Sequence, residues 1–591
     1  MQVSLLTIRN FRGIQSADLY FPQHVVLVGD NNTGKSTIFE ALNLALGPER
    51  LARRPAIDEH DFYLGRYTGT EGGDAPEIQI EVIVTSLSDE QCNRFQSYIE
   101  WWDSTTQQLH QTDDPTTVDQ EHISPAVRVC FVGHYDEEED DFIGETYFSR
   151  SREEENQPRT FSRKDKQYCG FLYLRSLRTG TRALSLERGS LLDIILRIKE
   201  IRPQIWERTI GEISEIDVAS DPELGIDGIL RSIEEGIQRY VPREWGVSPH
   251  LKVSTLTREH LRNVITAFVG TGGGQHAAPF YRQGTGTINL LVLSMLSQIA
   301  QDRYNVIFAM EEPETAIPPY AQKRIVHEIR ALAAQSLFSS HSPYVLEEFA
   351  LSETAILSKP QPGKLVCATV QLPASVKHKR YRQQFRTRFC EALLARRVLL
   401  CEGKSEAEAL PVVARRLAEL DDSTYTPLEA LGICSIDAGG ETQIAELGGL
   451  YRGIGKTVFA VCDRQSDDAQ KKIEGATDTF FMHPEDGVED LVIKNTTEAA
   501  ITRFLDTITL PPHLANKYPA PKNKAEIVVY EYLKTYKGEG ALSDFLTQCN
   551  LDEIPEWFKE TCVVLRKIVQ PSDHDGNCAH TSGAGTDQGL S

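Results

Sequence analysis

The spacing of apolar side chains divides the chain into alternating strand and helix patterns. Val3, Leu5, Leu6 and Ile8 open it as a strand. His24-Val25-Val26-Leu27-Val28 is apolar, Val-rich and too short for a helix, which predicts a buried strand. A glycine-containing turn follows, then the helical run Ile38-Phe39-Glu40-Ala41-Leu42. Ile78, Ile80, Val82 and Val84 alternate as a half-buried strand does, and Phe171 to Arg178 reads as a strand with a basic end. The acidic run Asp136 to Asp141 reads as a solvated loop between strands. From about Leu191 to Leu261 the period turns helical: Ile194, Ile195, Ile198 and Ile201, then Ile229, Ile233 and Ile237. Asn305 to Met310 is again a buried strand. Three more strand patterns, Arg397–Cys401, Leu431–Ile436 and Thr457–Cys462, alternate with helical patterns over Glu406–Leu420 and Thr442–Tyr451. That alternation predicts a parallel α/β sheet.

Composition narrows the class of protein. At 591 residues the chain has room for roughly three or four domains. A net charge of −23 argues against a basic protein that coats nucleic acid, while leaving room for local phosphate sites. Eleven cysteines with no Cys-x-x-Cys pair suggest neither a zinc ribbon nor a disulfide framework. Buried-type settings for Cys130, Cys401 and Cys462 suit a reducing cytosol. The amino terminus reads as a strand rather than a signal peptide, and no apolar run is long enough for a bilayer. The expectation is a soluble cytoplasmic protein without membrane contact.

Candidate chemistry lies where strands end. After the His24–Val28 strand comes Gly29-Asp30-Asn31-Asn32-Thr33-Gly34-Lys35-Ser36-Thr37, a P-loop in the order strand, glycine-rich turn, helix. Its backbone N–H groups and helix amino terminus favour phosphate oxygens. Gly29, Asn31, Asn32, Gly34, Lys35, Ser36 and Thr37 are the candidate nucleotide-binding set. Lys35 is placed for the β- and γ-phosphates, and Ser36 for Mg²⁺. The strand through Met310 ends in Glu311-Glu312-Pro313-Glu314. Glu311 is assigned to Mg²⁺ and Glu312 to the attacking water. In the second half, Glu402-Gly403, Asp437 and Asp463 each follow a strand, at the edge where parallel sheets place their sites. Such a carboxylate cluster suits a divalent metal. The densest positive stretch, Lys377 to Arg388, is read either as a solvated linker helix or as a phosphate-contacting face.

Leu6-Thr7-Ile8-Arg9-Asn10-Phe11-Arg12-Gly13-Ile14 resembles the opening of SMC/RecF-like ABC ATPases, in which the two Walker halves lie far apart in sequence. Gly284-Thr285-Gly286-Thr287 resembles the ABC signature motif, and the resemblance implies that Gly284 and Gly286 meet the nucleotide of an opposite protomer. His341 in His341-Ser342-Pro343 resembles the switch histidine that senses the γ-phosphate. Glu402-Gly403-Lys404-Ser405-Glu406, with Asp463 after a later strand, resembles the TOPRIM domain of OLD-family endonucleases, relatives of Gabija-type nucleases. The resemblance covers nearly the whole chain. It implies an ABC/SMC-like ATPase interrupted by a helical insertion and followed by a parallel-sheet TOPRIM domain. It also implies ATP-regulated, Mg²⁺-dependent cleavage of DNA, often in defence against phage. Carried over by position, Glu402 and Asp463 become metal ligands, Glu406 a second-metal ligand, and Glu489 the acidic residue completing the site. Lys522 or Lys524 becomes the base that stabilises the phosphate.

Two departures stand out. Asp463-Arg464-Gln465 carries an amide where the family has a second Asp, and Ala316 and Pro318 replace its usual histidines. The amide leaves the site short of charge, which makes Mn²⁺ an alternative metal. The expected division is an ATPase amino-terminal half over 1–185, a helical and dimerising insertion over 186–262, and an ATPase carboxy-terminal half over 263–375. A basic linker over 376–396, the TOPRIM nuclease domain over 397–570 and a disordered tail over 571–591 follow. Expected partners are DNA, a second copy of the chain or a higher homo-oligomer, and a protein encoded elsewhere. One rival is an SMC-like DNA-binding ATPase whose degenerate TOPRIM domain senses or scaffolds without cutting. A primase or topoisomerase is the other, with the missing zinc ribbon against the primase.

Overall fold

The computed structural model describes residues 1–48, 56–69, 75–110, 121–174, 190–199, 202–214, 226–237, 261, 267–270, 277–302, 306–315, 317–371 and 386–570. The chain divides into two compact units, Met1–Cys367 and Ala368–Ser591.

The first unit is built on one mixed sheet. Strand β1 (Gln2–Phe11) pairs antiparallel with β2 (Ile14–Tyr20), so that Leu6 faces Leu19 and Ile8 faces Ala17 across the pair. Its other edge pairs with β4 (Ile78–Thr85), β4 with β7 (Ile123–Asp136), and β7 with β5 (Ile99–Asp103), which carries β6 (Gln108–His110) at the edge. The acidic run is the turn from β7 into β8 (Asp141–Phe148), which keeps its like charges in water. The other side of the sheet is parallel. There β3 (His24–Val28) lies between β13 (Gln335–Ser339) and β14 (Thr354–Gln361), and β12 (Ile307–Glu311) lies between β13 and β9 (Phe171–Leu174). Strand β15 (Lys364–Thr369) joins β14 to β2, and β10 (Phe268–Gly270) and β11 (Ala277–Pro279) form a separate pair. Register sets Ser339 opposite both Leu27 and Glu311, so the two Walker strands end level with one another on either side of β13.

Alternation decides the packing. Val25 and Leu27 share a core with Ile38, Phe39 and Leu42 of the helix Lys35–Leu46, which lies against the sheet. Burying such side chains stabilises the fold by about 1.5–3 kcal/mol each. In the predicted helical insertion, helices occupy Leu191–Ile198, Arg202–Ser214 and Ile226–Ile237, and Trp206 packs with Leu261 and Leu192. The basic end of the strand at 175–178, Asn305, Ala316, most of the basic stretch (377–385) and the tail 571–591 lie outside the described residues.

The second unit holds a four-stranded parallel sheet in the order β17-β16-β18-β19. Its strands are β16 (Arg397–Cys401), β17 (Ile433–Asp437), β18 (Thr457–Cys462) and β19 (Thr479–Met482). Helices Lys404–Leu420, Glu441–Gly453 and Asp467–Ala476 make the crossovers. The order runs outward from β16 in both directions, which opens a crevice at its carboxyl end. The fourth strand, Thr479-Phe480-Phe481-Met482, is too short for its alternation to show in the sequence. The α/β class expected from the sequence is the class observed.

Candidate functional site

In the first unit the P-loop follows β3 directly. A Cβ on Gly29 would stand 3.0 Å from the Leu357 carbonyl oxygen, and Gly34 has φ +120°, where a side chain is strained. The helix Lys35–Leu46 starts without a side-chain cap, leaving its first N–H groups free for an anion. Lys35 is buried and donates to the carbonyls of Gly29 (2.7 Å) and Asp30 (3.0 Å). Burial lowers its pKa, against the opposing charges of Asp30, Glu312 and Glu311. His341 shares this field: burial lowers its pKa, then the charge of Lys35. The structure therefore gathers Lys35, Glu311, Glu312 and His341, from three separate strand ends. Asn31 and Asn32 are exposed on the loop, and in the first turn of the helix Ser36 is exposed and Thr37 half-buried. Gly284 immediately precedes the helix Thr285–Asp302, and Gly286 lies in its first turn.

The carboxylates here are held individually. The Tyr173 hydroxyl donates to Glu311 Oε1 at 2.7 Å. Glu312 adopts φ +46°, a left-handed conformation costing a non-glycine residue about 1 kcal/mol or more, and its N–H bonds to the Ser339 carbonyl at 2.9 Å. Glu314 Oε1 accepts from the Ser340 hydroxyl and the His341 N–H, both at 2.8 Å, and so fixes the backbone of His341. Burial raises the Glu314 carboxyl. Pro318, at one of the positions where family histidines are expected, is exposed just before the helix Pro319–Leu332. Lys359 reaches the Gly13 carbonyl at 2.9 Å and lies beside the P-loop through Asn32. No motif marks Lys359 in the sequence, because it reaches the loop from β14, a strand far from it in the chain.

In the second unit, strand ends and two helices converge. Glu402 follows β16 and is half-buried; its Oε2 accepts from the Asp463 N–H at 3.2 Å and from Gln465 Nε2 at 2.7 Å. Glu406 is buried in the first turn of the helix Lys404–Leu420. A Cβ on residue 403 would come within 2.9 Å of Glu406 Oε2, so the glycine of the Glu-Gly pair leaves room for that carboxylate. Glu489 is buried at the start of the helix Val488–Lys494 and accepts from the Ser405 hydroxyl at 2.7 Å. Asp437 ends β17 and accepts from the Gly439 N–H at 2.7 Å, closing its own loop. Burial holds the Glu406 carboxyl up at about 7, with the charges of Asp463 and Glu489 pushing the same way and Lys537 opposing them. Glu402 is raised too, by burial and then by Asp463.

Sequence reasoning missed two residues here. His483, fully buried after β19, sets Nε2 2.8 Å from Asp463 Oδ1. Lys537 sets Nζ 3.4 Å from Glu489 Oε2 and is the cation beside these carboxylates. Lys522 and Lys524 instead are exposed on the turn Pro521–Lys524, with Lys522 paired to Asp506 at 2.6 Å. The signal for Lys537 was its glycine turn: Gly538 has φ +71°, and a Cβ there would stand 3.0 Å from Lys404 Cβ. Among the described residues, Glu406, Asp463 and His483 offer ligand atoms all within 4.8 Å of one another. Glu406 Oε2, Asp463 Oδ1 and both His483 ring nitrogens receive no hydrogen bond. Buried, unsatisfied and mostly anionic, this donor set fits a divalent cation.

Residues 5–204 match the AAA domain family, and residues 393–464 match the TOPRIM domain of overcoming-lysogenization-defect-like proteins. The chain thus joins an AAA-type ATPase domain to an OLD-like TOPRIM domain, the combination its motifs resemble. Endonuclease GajA of Bacillus cereus (strain VD045) is a relative, 23% identical over 232 residues, which are 36% of this chain and 39% of that protein. The alignment therefore spans well under half of that curated relative. Among solved structures, an Smc head bound to the C-winged helix domain of ScpA is 12% identical, covering 62% of this chain and 98% of that one at a TM-score of 0.33. The C-terminal region of the Burkholderia pseudomallei OLD protein is 14% identical, covering 30% of this chain and 98% of that one at a TM-score of 0.23. No helix among the described residues is long and apolar enough to cross a membrane.

Proposed function

We propose that this protein is an ATP-regulated, divalent-metal-dependent DNA endonuclease, acting in the cytoplasm in defence against phage or other foreign DNA. The observation that carries the proposal is the cluster of buried Glu406 and Glu489 with half-buried Glu402 and Asp463 at the mouth of a parallel sheet, in a chain that also carries a P-loop. Bound there, a divalent metal would activate water and neutralise the charge growing on the phosphate. The protein's own side chains have distinct tasks. Glu402, Glu406, Asp463 and Glu489 would together hold the divalent ions. Ser405 orients Glu489, and Lys537 is placed to offset negative charge beside it. In the first unit, Lys35 and the loop glycines would hold ATP, Ser36 and Glu311 its Mg²⁺, and Glu312 the attacking water, with His341 as sensor. Gly284 and Gly286 would complete the nucleotide site of a second copy, making the active form at least a homodimer, with the helices of residues 186–262 as its contact.

Purified full-length protein on supercoiled plasmid tests this. Glu402→Ala should abolish nicking while leaving ATP binding intact, and Lys35→Ala should weaken ATP binding while leaving every TOPRIM ligand in place. Undiminished nicking by Glu402→Ala refutes the assignment. The second reading, a TOPRIM domain that holds DNA without cutting, is favoured by Gln465, whose amide donates to Glu402 where the family has a carboxylate. DNA binding without cleavage in any divalent metal would select it.

A further inference from the structure

The amide at 465 removes a charged oxygen from the cluster, and the fold brings in a different donor. His483 stands at the carboxyl end of β19, beside β18, on which Asp463 follows. Its backbone N–H bonds to the Cys462 carbonyl at 3.3 Å, which anchors the residue at the strand end. Trp557 packs edge-on against the imidazole, with ring centroids 5.4 Å apart and planes at 79°, and its indole N–H bonds to the Met482 carbonyl at 3.3 Å. The ring is therefore fixed in place by its surroundings. It is fully buried, yet no hydrogen bond reaches either ring nitrogen. Nε2 lies at contact distance from Asp463 Oδ1 but off the hydrogen-bonding direction, so the pair satisfies neither atom. Leaving a buried polar atom so is unfavourable, and Glu406 Oε2 is in the same condition. The ring faces the carboxylates of Glu406 and Asp463. Gln465 meanwhile directs its NH₂ group at Glu402, which makes it a hydrogen-bond partner of a ligand. An amide NH₂ does not ligate.

We propose that His483 takes the ligand position Gln465 leaves vacant, making Glu406, Asp463 and His483 a mixed nitrogen–oxygen centre that selects a transition-metal cation such as Mn²⁺ over Mg²⁺. The proposal rests on reading the cluster as a metal centre, and it adds the ligand chemistry and the choice of metal. Two ligands about 2.1 Å from one ion stand no more than about 4.2 Å apart. The present maximum of 4.8 Å thus closes on an ion with a shift of about half an ångström. Imidazole is a common ligand for transition metals, whereas Mg²⁺ keeps to oxygen. A neutral nitrogen in place of a carboxylate therefore costs Mg²⁺ more than it costs a transition metal.

The test reads the metal and not the nuclease. Pulsed EPR of full-length protein loaded with Mn²⁺ should show ¹⁴N modulation from a coordinated imidazole. His483→Asp, which restores a charged oxygen, should lose that modulation and lower the Mn²⁺-over-Mg²⁺ binding preference about tenfold, the scale of effects measured for changes around metal sites. His483→Gln, without a new buried charge, should lose the modulation equally and serves if the Asp variant misfolds. Absence of ¹⁴N modulation in the wild type, or its persistence in both variants, overturns the proposal. Histidine-coordinated Mn²⁺ in a protein that cuts no DNA would uphold this inference and remove the endonuclease reading. Nicking without ¹⁴N modulation would do the reverse.

Discussion

Gln465→Asp restores the family's second carboxylate, and with metal removed it should destabilise the protein. Gln465 Nε2 donates to Glu402 Oε2 at 2.7 Å, a hydrogen bond to a group that ionises. Bonds of that kind contribute about 1.5–3 kcal/mol. The substitution removes the donor and sets a like charge beside a carboxyl already raised by burial and by Asp463. Two such charges about 4 Å apart repel by about 4 kcal/mol at an effective dielectric constant of 20, and water at these half-exposed side chains cuts that to about 1–2 kcal/mol. The total is about 2.5–5 kcal/mol, which at about 2–4 °C per kcal/mol lowers the melting temperature of the second unit by roughly 5–20 °C. A bound divalent cation turns the repulsion into shared attraction. Each tenfold gain in affinity returns about 1.4 kcal/mol at saturation. Calorimetry of both full-length proteins in EDTA and in saturating Mg²⁺ should therefore show a gap that narrows when metal is added. A variant as stable as wild type in EDTA refutes the reasoning. So does a gap that Mg²⁺ leaves unchanged, since the new carboxylate would then lie outside the metal's reach.

Gly403→Ala should change little in folding, because φ −137° suits any residue, but its Cβ must displace the Glu406 carboxylate. Mn²⁺ affinity by calorimetric titration should fall about tenfold with the melting temperature nearly unchanged. Lys166 is fully buried, with Nζ donating to the Leu44 carbonyl at 2.6 Å, and burial lowers its pKa to about 7, against a weak opposing effect of Cys169. Between about pH 7 and its ordinary value of 10.5 the unfolded chain keeps a proton that the folded one has released, so stability rises with pH there. The slope from this group approaches about 1.4 kcal/mol per pH unit. Denaturation midpoints at pH 7 and pH 9 should show the wild type gaining on Lys166→Met, and parallel curves would refute it.

The sequence by itself determined whatever depends on neighbours in the chain. The P-loop was legible because strand, glycine turn and helix are contiguous, and the two Walker strands because each is a short, wholly apolar run. Glu402 and Asp463 were legible because each carboxylate directly follows such a run. Glu406 and Glu489 came through the family resemblance, at positions fixed by their helices. The tertiary structure decided what depends on register between strands distant in sequence. Only the sheet order sets Glu311 and Ser339 level with the end of β3, from far along the chain. His483 was hidden because a four-residue strand has too little alternation to announce itself, and a lone histidine carries no period. The choice of base shows the same limit. Lys522, Lys524 and Lys537 are equivalent as letters, and the fold spends Lys522 on Asp506 while the tight turn at Gly538 carries Lys537 to Glu489. A charge finds its partner through space, and sequence encodes that distance only through the whole packed core.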